Sequence, residues 1–287
     1  MTGPVEEVAV RSTRARRWAA LRRMPTFWIG AAITLMWVAF AVFGDFVTPY
    51  DPLGTPQDVL NRLQGPSAEH WFGTDELGRD VLSRVLAGAR QVLTVSLAAT
   101  VLGTLAGTAI GLVIGFFGGL VDDIISRILE AFLSIPLVIT GMLALAALGP
   151  TTVGVVVVIG LVFAPIIAKT VRAAVLAERR LDYVTAAQLR RENVLYILFV
   201  EILPNVTGVI VVEFTVRLGY AIFTVLALSF LGFGVEPSIP DWGLTISQHY
   251  GYLTGGVWWP VLFPALAIAS LVVGVNLLAD SISQVSE

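Results

Sequence analysis

The residue types able to do chemistry are sparse in this 287-residue chain, and their spacing excludes most reactions. Cysteine is absent, which removes disulfides, thiolate metal sites and cysteine nucleophiles. The two histidines, His70 and His249, are too few and too scattered to suggest a metal centre. Lys169 is the only lysine and follows Ala168, so a Gly-x4-Gly-Lys-Ser/Thr phosphate loop cannot be built. The chain cannot hydrolyse ATP by that route. Asp75 and Asp80 could be imagined as an acid–base pair, but no activated nucleophile or metal cage accompanies them. Glu213 and Arg217 stand four residues apart, a spacing that pairs carboxylate and guanidinium on one helix face. They either line a pathway or gate, or neutralise each other while holding helices together. No cofactor is expected.

The elements that carry these residues are apolar. Hydrophobic residues make up 56% of the chain and charged residues only 14%, with a mean hydropathy of +0.83. Soluble domains carry roughly 25% charged residues, and a membrane helix needs about 20 apolar ones. Apolar runs cover 27–47, 92–117, 124–148, 153–175 and 259–278, with a longer run at 194–233. Pro204 is expected to divide that long run into an approach segment and a span. The first run ends in Gly44-Asp45-Phe46 without a small-residue cleavage pattern, so it reads as a retained anchor rather than a signal peptide. The fold expected is an all-α membrane protein with about six transmembrane helices.

Positive charge sets the orientation. Arg11, Arg14, Arg16, Arg17, Arg22 and Arg23 precede the first span. Lys169, Arg172, Arg179, Arg180, Arg190 and Arg191 cluster near the fourth-to-fifth connection, whereas 232–260 has no Lys or Arg. Cytoplasmic loops are the basic ones, so both termini and 177–193 are expected inside, with 48–90 and 232–258 outside. Arg62, Arg79, Arg84 and Arg90 fall in the outer loop, accompanied by six acids between Asp51 and Asp80. The organisation expected is a basic segment at 1–24, a first helix and outer loop at 25–90, and a five-helix core at 91–287. Tyr250, Tyr252, Trp258 and Trp259 read as an interfacial aromatic belt.

Within the membrane, Gly103, Gly107, Gly111 and Gly115 recur every fourth residue and form one smooth helical stripe. Tight helix packing is expected there, within the subunit or against a partner. Pro136 and Pro165 should permit kinks. Glu130 has Arg127 as its only evident local partner, and Asp122 and Asp123 need no special explanation in a short inner turn.

The stretch Trp71-Phe72-Gly73-Thr74-Asp75-Glu76-Leu77-Gly78-Arg79-Asp80, followed by Val81-Leu82-Ser83-Arg84, resembles a signature of dipeptide and oligopeptide importer permeases. It is typical of the second of their two membrane subunits. Ala227-Leu228-Ser229-Phe230-Leu231-Gly232-Phe233-Gly234 and Asp241-Trp242-Gly243 look like the same family. A coupling helix near 182–194 resembles the family's Glu-Ala-Ala pattern at Thr185, Ala186 and Ala187, continues through Arg190, Arg191 and Glu192, and precedes Ile202-Leu203-Pro204-Asn205. Here Thr185 stands for the usual acid, Arg191 for the usual glycine, and Glu201 for a frequent His. The Arg191 departure implies a less tight turn or an ATPase groove matched to a bulkier, more basic partner.

The resemblance implies a type I ABC importer permease fold in a bacterial cytoplasmic membrane. Its implied partners are a second permease subunit, two ATP-binding subunits inside and a substrate-binding protein outside. Membrane lipid surrounds it, and no nucleic acid is expected. Similar permeases carry nickel, haem or glycosides, and a self-sufficient secondary transporter is the rival class, although no internal repeat is evident. A reporter active only outside the cytoplasm should work when fused near Pro66 or Ser238 and stay silent near Asp182; activity at Asp182 would reverse the orientation.

Overall fold

The computed structural model describes residues 21–53, 61–149, 151–234 and 239–286. Arg11, Arg14, Arg16, Arg17, Asp58 and Ser238 lie outside the described residues. α1 (Pro25–Val47) and α2 (Val81–Phe117) are followed by α3 (Gly119–Leu133) and α4 (Leu137–Leu148). α5 (Thr152–Glu178) leads into the short α6 (Asp182–Leu189). A turn at Val194–Tyr196, a π-helical stretch at Ile197–Ile202 and α7 (Leu203–Phe230) then run on as one 37-residue helix. α8 (Trp242–His249) passes through a 3-10 segment, Tyr250–Gly255, towards α9 (Trp259–Ser286). Among the described residues, five helices are long and apolar enough to cross a membrane, and the α3–α4 pair supplies a sixth if its bent halves are one span.

Several boundaries differ from those expected, each for a physical reason. α2 begins at Val81 rather than near residue 92, because its polar first turns are satisfied. Asp80 caps it, accepting from Ser83 N–H at 2.8 Å and from the Ser83 hydroxyl at 2.7 Å. Arg90 donates to two carbonyls in the second half of α1, those of Ala41 at 2.9 Å and Val42 at 3.3 Å. Residue 91 therefore falls inside a helix rather than at its start.

The expected third span is broken. α3 and α4 meet at 87° across Ser134, Ile135 and Pro136. Pro136 lacks the N–H that would continue α3 and disfavours helix in the residue before it. Pro165, by contrast, lies inside an uninterrupted α5. Pro204 does not divide its run either. It follows the π-helical stretch and sits in the first turn of α7, where a missing N–H costs least.

The centre of the bundle is α2 against α5, and the glycine stripe faces that contact. A Cβ on Gly103 would lie 2.9 Å from the Gly160 carbonyl oxygen, and one on Gly107 would lie 2.7 Å from that of Ala164. At Gly111 the nearest atom would be Val171 Cβ at 2.7 Å, and at Gly115 it would be Val175 Cβ at 2.7 Å. No side chain fits between these backbones. The β-branched Ile167, Val171 and Val175 of α5 fill the stripe instead and are fully buried. Close approach of this kind favours association in lipid, where burial of apolar surface gives little.

Leu at Gly107 or Gly111 should destabilise the detergent-purified chain by about 1–3 kcal/mol, as overpacked cores do. Leu at Gly208, where a Cβ meets nothing within 4 Å, should leave the thermal unfolding midpoint unchanged. Equal midpoints for all three variants would show that the stripe is not the central contact.

Candidate pathway and coupling surface

The three sequence stretches that resemble permease signatures converge at one end of the bundle. Asp75 is wholly buried in its loop and accepts from Leu77 N–H and Arg79 N–H at 2.9 Å each, and from Arg79 Nε at 2.7 Å. Arg84, on the first turn of α2, reaches the same carboxylate at 3.7 Å. Asp241 caps α8 by accepting from Leu244 N–H and also accepts from the Ser229 hydroxyl, both at 2.9 Å. Burial pushes its carboxyl up, against the pull of those hydrogen bonds and of Arg84.

The next residue, Trp242, donates to the Val85 carbonyl at 2.8 Å, and its indole lies where Gly88 leaves room: a Cβ there would be 2.6 Å from Nε1. Gly243 is equally confined, since a Cβ would lie within 2.4 Å of the Leu226 carbonyl oxygen. Asp75 and Asp80 are thus loop-builders, the latter also bonded to His70 Nδ1 at 2.9 Å. Trp259 departs from the expected interfacial belt. It is 9% exposed and donates to the Thr74 carbonyl at 2.9 Å, whereas Tyr250 and Trp258 remain exposed.

Lower in the bundle, Glu213 and Arg217 do pair on one face of α7, at 2.9 Å. Thr170 of α5 donates to the other Glu213 oxygen at 2.9 Å, so the pair also ties two helices together. Two more polar links leave the same stretch of α5. Lys169 pairs with Glu130 at 3.1 Å, displacing Arg127 as its expected partner. Arg172 grips Asp122 through Nε at 2.5 Å and Nη2 at 2.6 Å, and Asp122 is 7% exposed. That forked, charge-assisted contact is the link that sequence reasoning missed. The signal available was weak: an acid just after Gly118 and Gly119 (φ 63 and 55), where the chain turns sharply back towards α5.

The connection after α5 holds the expected coupling segment. Val184 and Ala187 are fully buried against the core that includes Val175, Ile197 and Ile202. Thr185, Ala186 and Arg190 are exposed, and Leu189 is 81% exposed. Ala187 therefore props the helix from beneath and cannot itself touch a partner. The turn at Arg191 is as tight as a glycine turn. Its φ is +56, its N–H bonds the Gln188 carbonyl at 2.9 Å, and Glu192 N–H bonds that of Ala187 at 3.2 Å. A less tight turn is thereby excluded, and Arg191 bears a conformation worth roughly 1–2 kcal/mol against an L side chain.

Glu192 and Glu201 both face the Arg190 guanidinium, at 3.4 and 3.5 Å. Tyr183 donates to Glu178 at 2.6 Å and accepts from Asn205 at 3.1 Å, joining the end of α5, α6 and the start of α7. Burial, with Glu178 adding to it, pushes the Tyr183 phenol up to about 12, so it stays a neutral donor at ordinary pH.

Comparison with known proteins gives this arrangement a family. Residues 107–287 match the binding-protein-dependent transport system inner membrane component family, and residues 12–66 match the N-terminal TM domain of oligopeptide transport permease C. A di/tripeptide transport system permease protein of Pseudomonas aeruginosa is 35% identical, over 88% of this chain and 85% of that protein. A dipeptide transport system permease protein of Alkalihalophilus pseudofirmus is 33% identical, over 88% and 83%. A glutathione transport system permease protein of Salmonella typhimurium is 37% identical, over 92% and 87%. With more than half its length matched and these relatives covering most of it, the chain belongs to the inner-membrane permease family of binding-protein-dependent transport systems, as a multi-pass component with the type I ABC permease fold.

Proposed function

We propose that the chain is one of two permease subunits of an ATP-driven importer of di- or oligopeptides, with both termini in the cytoplasm. A sister subunit completes the pathway, a pair of ATP-binding subunits docks inside, and a substrate-binding protein delivers cargo outside. The peptide, dipeptide and glutathione names of its relatives favour that cargo class over nickel, haem or glycosides. Hydrolysis falls to the partners because the chain has no lysine placed for a P-loop.

The observation that carries this reading is α6. It is a short helix anchored by Val184 and Ala187, presenting Thr185, Ala186 and Leu189 outward, and joined by three residues to the membrane helix α5. A force on its exposed face reaches α5 directly. From there it reaches α3 through Arg172–Asp122 and α7 through Thr170–Glu213. Glu213 and Arg217 then serve as pathway or gate residues whose pairing responds to that movement.

In the reconstituted importer, Ala186→Pro should cost about 3 kcal/mol of local helix and abolish cargo-stimulated ATP hydrolysis while the permease still inserts. Arg191→Glu should weaken stimulation less, about fivefold or under, as exposed charges do. Arg191→Gly removes the charge yet relieves the turn, and should raise the chain's own stability. Wild-type transport by Ala186→Pro would end the coupling assignment.

A further inference from the structure

One cavity lies beside the Glu213–Arg217 pair and is not explained by coupling. It opens between α7 and α9, has a volume of about 430 Å³, and is lined by Tyr220, Phe223, Asn276 and Asp280 among others. Asn276 and Asp280 are one turn apart on α9, and both are exposed. Neither has a hydrogen-bond or ion-pair partner among the described residues. Polar and charged side chains on a membrane helix avoid lipid and face protein or water. Asn276 lies within the apolar run 259–278 and Asp280 just beyond its end, so the unpartnered pair marks the mouth of a face that water or cargo visits.

The cavity is also shaped. Gly219 is buried beneath it, and a Cβ there would lie 2.5 Å from Asn276 Oδ1, so glycine is what lets the amide sit against α7. Tyr220 and Phe223 expose 57% and 60% of their surface on the α7 side. Arg217 lies over the Tyr220 ring at 5.3 Å and is neutralised by Glu213 at 2.9 Å. Those two charges cancel, which among the described residues leaves the Asp280 carboxylate as the uncompensated charge of the face.

We propose that this cavity is a half-site for a primary ammonium group, the N-terminal amine of a passing peptide. Asp280 supplies the counter-charge, Asn276 Oδ1 a second acceptor, and the Tyr220 and Phe223 rings the apolar flank. The proposal rests on the reading of the chain as a peptide permease. An aminophospholipid headgroup presents the same ammonium, so the test is run in phosphatidylglycerol vesicles, which contain none.

Uptake of trialanine is compared with uptake of its lactyl analogue, which carries a hydroxyl in place of the ammonium. The same binding protein is used throughout, so its own preference cancels between permease variants. Wild type should favour trialanine, Asp280→Asn should lower that preference about tenfold, the worth of one charge-assisted hydrogen bond, and Asp280→Glu should keep it. All are compared at equal assembled amounts. An unchanged preference in Asp280→Asn overturns the half-site, and loss of preference only when aminophospholipid is added assigns the site to lipid and overturns it too. Failure of the wild-type importer to take up either peptide with ATP overturns the peptide reading beneath it.

Discussion

Everything else in this molecule depends on the approach of two backbones, α2 and α5, along a stripe that has no side chains. Four glycines spaced one turn apart let the β-branched residues of α5 settle directly on α2, with Cβ positions that would fall 2.7 to 2.9 Å from their neighbours. In lipid, apolar burial gives no net reason for helices to associate, so fit of this kind must supply it. Once α2 and α5 are fixed, their ends are fixed too. One end of α2 carries Asp80, Arg84 and Gly88, the scaffold on which Trp242 and the Asp75 loop lock. The far end of α5 carries Lys169, Thr170 and Arg172, each bonded to a different polar group on α3 or α7.

This arrangement joins a rigid end to a jointed one. The end built from Asp75, Asp241 and Trp242 has buried carboxylates that are hydrogen-bonded and indoles that donate to backbone carbonyls. Such satisfied networks hold one geometry. At the other end, the polar links off α5 are fewer and partly exposed, α3 and α4 meet at 87°, and the lower part of the α7 run is π-helical. Wide turns and breaks of this kind recur at functional hinges. Under the proposed coupling, motion delivered at α6 would act on the end of the bundle that holds these breaks.

The features legible in the sequence were those with a period or a charge bias. The glycine stripe, the Glu213–Arg217 spacing and the apolar runs each follow from one helix considered alone. What could not be read depended on a partner from elsewhere in the chain. The start of α2 was hidden because Arg84 and Arg90 look like loop residues until Asp75 comes opposite the first and carbonyls of α1 accept from the second. Asp122 looked like a turn residue until α5 brought Arg172 to it. Trp259 looked interfacial until Thr74 arrived beneath its indole. Arg191 is the reverse case, a residue whose type argued against a tight turn that the surrounding hydrogen bonds impose.

The most direct measurement of the central claim, that α6 is the surface through which the permease meets its ATPases, is site-specific photocrosslinking in the assembled, actively transporting complex. The chain lacks cysteine, so a single photoreactive side chain is readily placed and its products identified. A probe at Leu189, which is 81% exposed, should crosslink an ATP-binding subunit, whereas one at Val184, which is fully buried, should not. A Leu189 probe that captures only lipid or no protein, while hydrolysis and uptake continue, would contradict the account.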